Sequence, residues 1–218
     1  MAARLPKWIV KVLVTLAVMA GVVFLFIRSL DRARSTPYTV EREFLGNWIV
    51  RVVEGPAGTS PVLVLAPPSG IVPGLFGQVF ARAGESLNSG AGRGIPLVLR
   101  AELDRAFAGS AALDSLAAAA RTAGLESARL EPRCVAHFHV SEPGVTRQVY
   151  AAVFDLPAFD QFRRQIAVQA DPGAGDGSFD PAALSPVLLI GATDPLFDRW
   201  LPLRIDPASD CIAPLVAD

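Results

Sequence analysis

Residues 129–155 read RLEPRCVAHFHVSEPGVTRQVYAAVFD. Two runs rich in strand formers, 129–140 and 147–155, flank Ser141-Glu142-Pro143-Gly144, whose residue types are those of tight turns. The stretch predicts an antiparallel hairpin. Alternation along its first strand puts Cys134, Ala136, Phe138 and Val140 on one face, expected to be buried. Arg133, Val135, His137 and His139 then share the other face, expected to be the more polar.

Elements on both sides of the hairpin extend it into a domain. Upstream, 95–99 (IPLVL) reads as a strand. Ser110 is a good N-cap for an alanine-rich helix to about Thr122, with Leu113 and Leu116 inward and Gly124 at its end. Downstream, Pro157 opens a helix with Phe159, Phe162 and Ile166 on its inner face and Arg163 and Arg164 outward. Residues 186–190 form the last expected strand. The order β-α-β-β-α-β over about 95–190 is the split βαβ pattern of ferredoxin-like domains. Element order alone carries that narrower reading; the broader one is an α+β domain with a mainly antiparallel sheet. Further upstream, 48–53 and 61–65 predict a second hairpin, and Leu75, Phe76, Val79 and Phe80 predict a helix over about 74–87, ended by the glycine-rich stretch 88–94.

The N-terminal region differs in character. Residues 8–27 read WIVKVLVTLAVMAGVVFLFI, with Lys11 the only charge. Twenty helical residues at about 1.5 Å each span roughly 30 Å, the thickness of a bilayer's hydrocarbon core. Lys11 lies one turn in, where its stem reaches the headgroups, and Trp8 suits the interface. A cleaved secretory signal is the main rival, because Val18-Met19-Ala20 has suitable small residues. The apolar run continues through 22–27, however, so an uncleaved anchor is expected, and no cysteine follows at the position a lipoprotein needs. Thr15, Ala17, Ala20 and Gly21 are small and would allow close packing against another helix. The expected organisation is a cytoplasmic N-terminus 1–7, a transmembrane helix 8–27, a juxtamembrane linker 28–46 and a periplasmic α+β domain 47–218.

Composition bounds the function. Across 218 residues the apolar fraction is 51%, the charged fraction 19% and the formal net charge −1, which excludes a disordered chain and a strongly basic nucleic-acid binder. The first 34 residues carry six basic groups and one acid, so the basic charge gathers around the apolar segment. Flanking charge does not decide orientation, since Lys and Arg are nearly equal on the two sides. The short N-terminal flank and the two cysteines, Cys134 and Cys211, favour an exported domain in a bacterial inner membrane. Without a CxxC, these cysteines read as one disulfide in an oxidising compartment or as two buried thiols in a reducing one; the disulfide goes with the expected export and would pin the C-terminal segment to the sheet.

The chemistry inventory is short. His137 and His139 point the same way from a strand and are weak candidates for zinc or copper; Glu131 lies on the same face, but no further ligand cluster is evident. Ala66-Pro67-Pro68-Ser69-Gly70 follows a strand and leads toward a helix, a position where backbone amides cradle anions, although its prolines remove amides. Residues 90–94 (GAGRG) precede a strand, the wrong context for a dinucleotide fingerprint. Glu102 and Asp104 cannot be placed on a common cleft, and 171–180 lacks calcium-loop spacing. No G-x-S-x-G or CxxCH occurs. No catalytic residue and no cofactor are expected.

One membrane helix joined to a ferredoxin-like exported domain resembles inner-membrane components of bacterial secretion and pilus machines. The resemblance is architectural and departs in lacking a long heptad-bearing segment between helix and domain. Three classes of function follow. The first is a non-catalytic single-pass accessory subunit that stabilises or organises an integral membrane protein complex. The second is an assembly or scaffold component of an envelope machine. The third is an anchored periplasmic enzyme or small-ligand binder. The partners expected are the lipid bilayer and a membrane complex, with no nucleic acid.

Overall fold

The computed structural model describes residues 7–54, 60–107, 112–142, 145–170, 179–195 and 204–218. The chain divides after Thr36 into two units. The first is built on a 29-residue helix, α1 (Lys7–Ser35). Its large apolar side chains are exposed wherever they are described, from Trp8 at 66% to Phe26 at 64%. Among the described residues no helix is long and apolar enough to cross a membrane. The transmembrane assignment of 8–27 is therefore not supported by this helix as described.

The second unit runs from Pro37 to Asp218 and contains nine strands among its described residues. A six-stranded sheet has the order β1-β9-β6-β7-β8-β4, and a three-stranded sheet the order β2-β3-β5. Their spans are β1 (Tyr38–Val40), β2 (Ile49–Val52), β3 (Pro61–Ala66), β4 (Asn88–Ser89), β5 (Ile95–Leu99), β6 (Glu131–Glu142), β7 (Val145–Asp155), β8 (Val187–Ala192) and β9 (Cys211–Ala217). Among the described residues only β1 and β9 pair in parallel, and the other ladders are antiparallel. The α+β class and the mainly antiparallel sheet are as read from the sequence.

The ferredoxin-like topology is not. That fold needs the strand at 95–99 inside the sheet formed by the hairpin and the last strand. Instead β5 pairs with β3 in the other sheet, and β7 pairs directly with β8. The hairpin β6–β7 is the spine, paired from Glu131 with Asp155 to Glu142 with Val145. Both of its faces are covered near Cys134. Val135 joins Tyr150, Ala152, Phe154 and Leu188 in the main core, where Trp48 meets Phe154 edge to face at 6.0 Å. Cys134, Ala136, Ala151, Val153, Val187 and Ile205 form a second apolar cluster. The row 133, 135, 137, 139 is thus no polar face: it enters the main core at Val135.

The helices are α2 (Ile71–Ala83), α3 (Arg100–Ala106), α4 (Leu113–Thr122), α5 (Pro157–Ala167) and α6 (Pro207–Asp210). α2 starts and stops earlier than expected because Pro73 is tolerated in a first turn and Gly84, in the left-handed region, closes the last one. The expected N-cap Ser110 lies outside the described residues; α4 begins at Leu113 after Ala112. Regular elements occupy much of 28–46, the expected juxtamembrane linker. α1 runs to Ser35, β1 follows at Tyr38, and a 3-10 turn occupies Arg42–Leu45.

Candidate functional site

The two cysteines meet. Cys134 on β6 and Cys211 at the start of β9 form a disulfide with Cα atoms 5.7 Å apart, across 77 positions of sequence. β9 itself was missed by the sequence reading. It pairs with β6 at three positions, Cys134 with Pro214, Val135 with Ala213 and Ala136 with Cys211, with an irregularity after Val135.

Further along β6 the two imidazoles sit with ring centroids 6.2 Å apart. They share a side, but His137 is committed elsewhere. Its ring stacks on Tyr150 with centroids 4.5 Å apart, and its Nε2 lies 2.8 Å from Gln148 Oε1. Gln148 Nε2 donates to Glu85 Oε1 at 2.5 Å. A carboxylate only accepts, so Glu85 fixes which way the Gln148 amide faces. Oε1 then faces the imidazole, and His137 Nε2 carries the proton that it donates. A nitrogen used in this way is not a metal ligand. Glu131 is six residues away, about 20 Å along an extended strand. Among the described residues no group of three or more His, Cys, Asp or Glu side chains is arranged to hold a metal.

The same cluster ties β7 to the chain after β8. Gln148 N–H donates to Thr193 Oγ1 at 2.9 Å, and Arg147 Nε pairs with Asp194 at 3.0 Å. Hydrogen-bonded cross-linking of β6, β7 and the segments around Glu85 and Asp194 is the chemistry these groups supply.

The glycine segments are structural as well. Gly70 precedes α2 with φ of 117°, and a Cβ there would lie 2.8 Å from the Phe44 ring. That ring covers the start of the helix. A groove of about 110 Å³ beside it is lined by Thr39, Glu41, Phe44, Gly70 and Gln78 among others. Glu41 and Asp218 also line this groove, and their negative charge disfavours an anion there. A Cβ on Gly90 would lie 2.3 Å from the Leu189 carbonyl oxygen, which explains that glycine by close backbone approach. Of the segment 171–180, residues 171–178 lie outside the described set.

Glu102 and Asp104 separate: Asp104 is exposed and Glu102 is buried. Glu102 is half of a centre the sequence reading did not find. Arg163, expected outward on α5, is fully buried. Its Nη1 donates to Leu97 O (3.1 Å) and Glu102 Oε2 (3.0 Å), its Nη2 to Glu102 Oε1 (2.7 Å) and Asp180 O (2.6 Å), and its Nε to Pro181 O (3.3 Å). The guanidinium lies 4.2 Å from the Phe179 ring centroid. Glu102 Oε2 also accepts from Leu99 N–H at 2.9 Å. All five guanidinium N–H groups are thereby used, as a buried charge requires. Both partners face protein, which makes this a structural centre rather than a catalytic one.

On α1, the Thr15 hydroxyl donates to Lys11 O at 3.0 Å and is spent within its own helix. Ala17, Ala20 and Gly21 are exposed, and a Cβ on Gly21 would meet nothing within 4 Å. No protein-family model matches the chain, and no curated protein or solved structure is found to match it.

Proposed function

We propose that this protein is a non-catalytic, single-pass accessory subunit of a larger bacterial inner-membrane protein complex. Its N-terminal helix holds it in the bilayer, and its disulfide-bonded α+β domain lies in the periplasm. The observation that carries the reading is the apolar stretch 8–27 within one continuous helix, its described side chains pointing at no core of their own. Aliphatic and aromatic groups exposed over that length need lipid or another apolar surface to cover them. The disulfide supports the periplasmic side, because such bonds persist in oxidising compartments. Tethering supports the subunit role: it raises the effective concentration of weak contacts with a neighbouring membrane protein.

Within the helix, Ala17 and Gly21 are four residues apart and offer the close approach that helix pairs in lipid use. The test replaces both with leucine and follows assembly of the parent complex after solubilisation in mild detergent. The expected result is a lower yield of the assembled complex with the variant still in the membrane fraction. Unchanged yield and unchanged thermal stability of the complex contradict the helix-packing part of the proposal. Extraction of the wild-type chain by alkaline carbonate contradicts the anchor itself.

A further inference from the structure

We infer that the Cys134–Cys211 disulfide is a redox-operated latch on β9 alone: once a dithiol reduces it, β9 leaves the sheet while β1, β6, β7 and β8 keep their places. The ladder between β9 and β6 covers three positions and is irregular after Val135. The disulfide joins the same two strands at the same place. By contrast β6 and β7 pair along eleven registered positions, and β7 and β8 along five, none of them involving β9.

β1 does not depend on β9 in the same way. The Gln78 side chain of α2 meets Thr39 as a neighbouring strand would: Thr39 N–H donates to Gln78 Oε1 (2.9 Å) and Gln78 Nε2 donates to Thr39 O (2.8 Å). Arg82 adds a bond to Pro37 O at 3.2 Å and lies 4.1 Å from the Tyr38 ring centroid. Loss of β9 therefore leaves a strand-wide slot between β1 and β6. Cys211 is only partly buried, whereas Cys134 is buried, so attack falls on the Cys211 sulfur. A dithiol thiolate displaces the Cys134 sulfur, and its second thiol then releases Cys211. The protein gains two thiols, and the dithiol, having given up two electrons and two protons, closes to its own disulfide.

Residue-resolved hydrogen exchange of the full chain in detergent, before and after dithiothreitol, tests this. Thr39 and Val40 are the internal control: the Thr39 amide is held by Gln78, whereas Val40 faces β9, since its carbonyl accepts from the Asp218 amide. The expected result is at least tenfold faster exchange at Val40, Ala213 and 215–217, with Thr39, 149–155 and 187–190 unchanged. Unchanged exchange at 213–217 overturns the latch, and so does acceleration shared by Thr39 or by β7 and β8. The double variant Cys134→Val/Cys211→Ser, without reductant, is expected to show the same pattern; loss of protection throughout the domain overturns a latch confined to β9.

Discussion

Two arginine–carboxylate pairs sit in this domain in opposite surroundings. Arg163 and Glu102 meet in the interior at 2.7 Å with side chains 0% and 8% exposed. Arg133 and Asp155 meet across the β6–β7 hairpin at 3.2 Å with side chains 49% and 56% exposed. The chemistry is the same, but the consequences differ. In the interior no water can replace a lost partner, so every donor of Arg163 is matched to a carboxylate oxygen or a backbone carbonyl. At the hairpin water competes for both charges and the pair contributes little. Close by, where β9's ladder to β6 is short, a covalent bond takes over the holding.

The largest effect is expected at Arg163. Arg163→Met in the full chain should cost roughly 3–5 kcal/mol of unfolding free energy, because Glu102 is left charged and buried without its cation. Urea titration of the detergent-solubilised protein checks this. Adding Glu102→Met should restore part of the loss; no restoration would mean that the carbonyl bonds of Arg163, not its charge, dominate. Next comes the disulfide, whose removal should cost about 2–4 kcal/mol in the same titration. Gln78→Ala should cost about 1 kcal/mol, visible as faster amide exchange at Thr39, because it removes two bonds from the outer edge of β1.

Tyr38 adds a pH dependence. Burial raises its phenol above the ordinary value of 10.0, against the opposing pull of the Arg82 charge and hydrogen bond. The folded state then holds the proton more tightly than the unfolded state. Its contribution to stability is complete below pH 10 and is lost as the pH rises through the folded value. Tyr38→Phe should flatten the alkaline fall in melting temperature. Arg133→Ala should be the smallest effect, below about 1 kcal/mol and weaker still at high salt.

How much of this was legible in the sequence differs by element. The hairpin at 129–155 was, because alternation and turn residues agree there. Phe159, Phe162 and Ile166 were read inward and are all fully buried. Arg163 was misread because charge normally points outward. Its position one turn after Phe159 is on the inner side of the helix, and only the buried Glu102 across the core makes that place tolerable. β9 was missed because Pro214 argues against a strand, and its ladder gives that residue no donor to make. α3 was hidden because it follows β5 without a break and is only seven residues long. The pairing of Cys134 with Cys211 was legible from their count and the absence of a CxxC. The strand that this bond holds was not, since it depends on register.

Membership of a larger membrane complex is the proposal on which the function of this chain rests. The most direct test is native-state migration of the protein released from membranes in mild detergent, with partners identified by mass spectrometry. The expected result is co-migration with an integral membrane protein at a size well above the chain's own 23.0 kDa. Migration as a lone chain in its detergent micelle would contradict it.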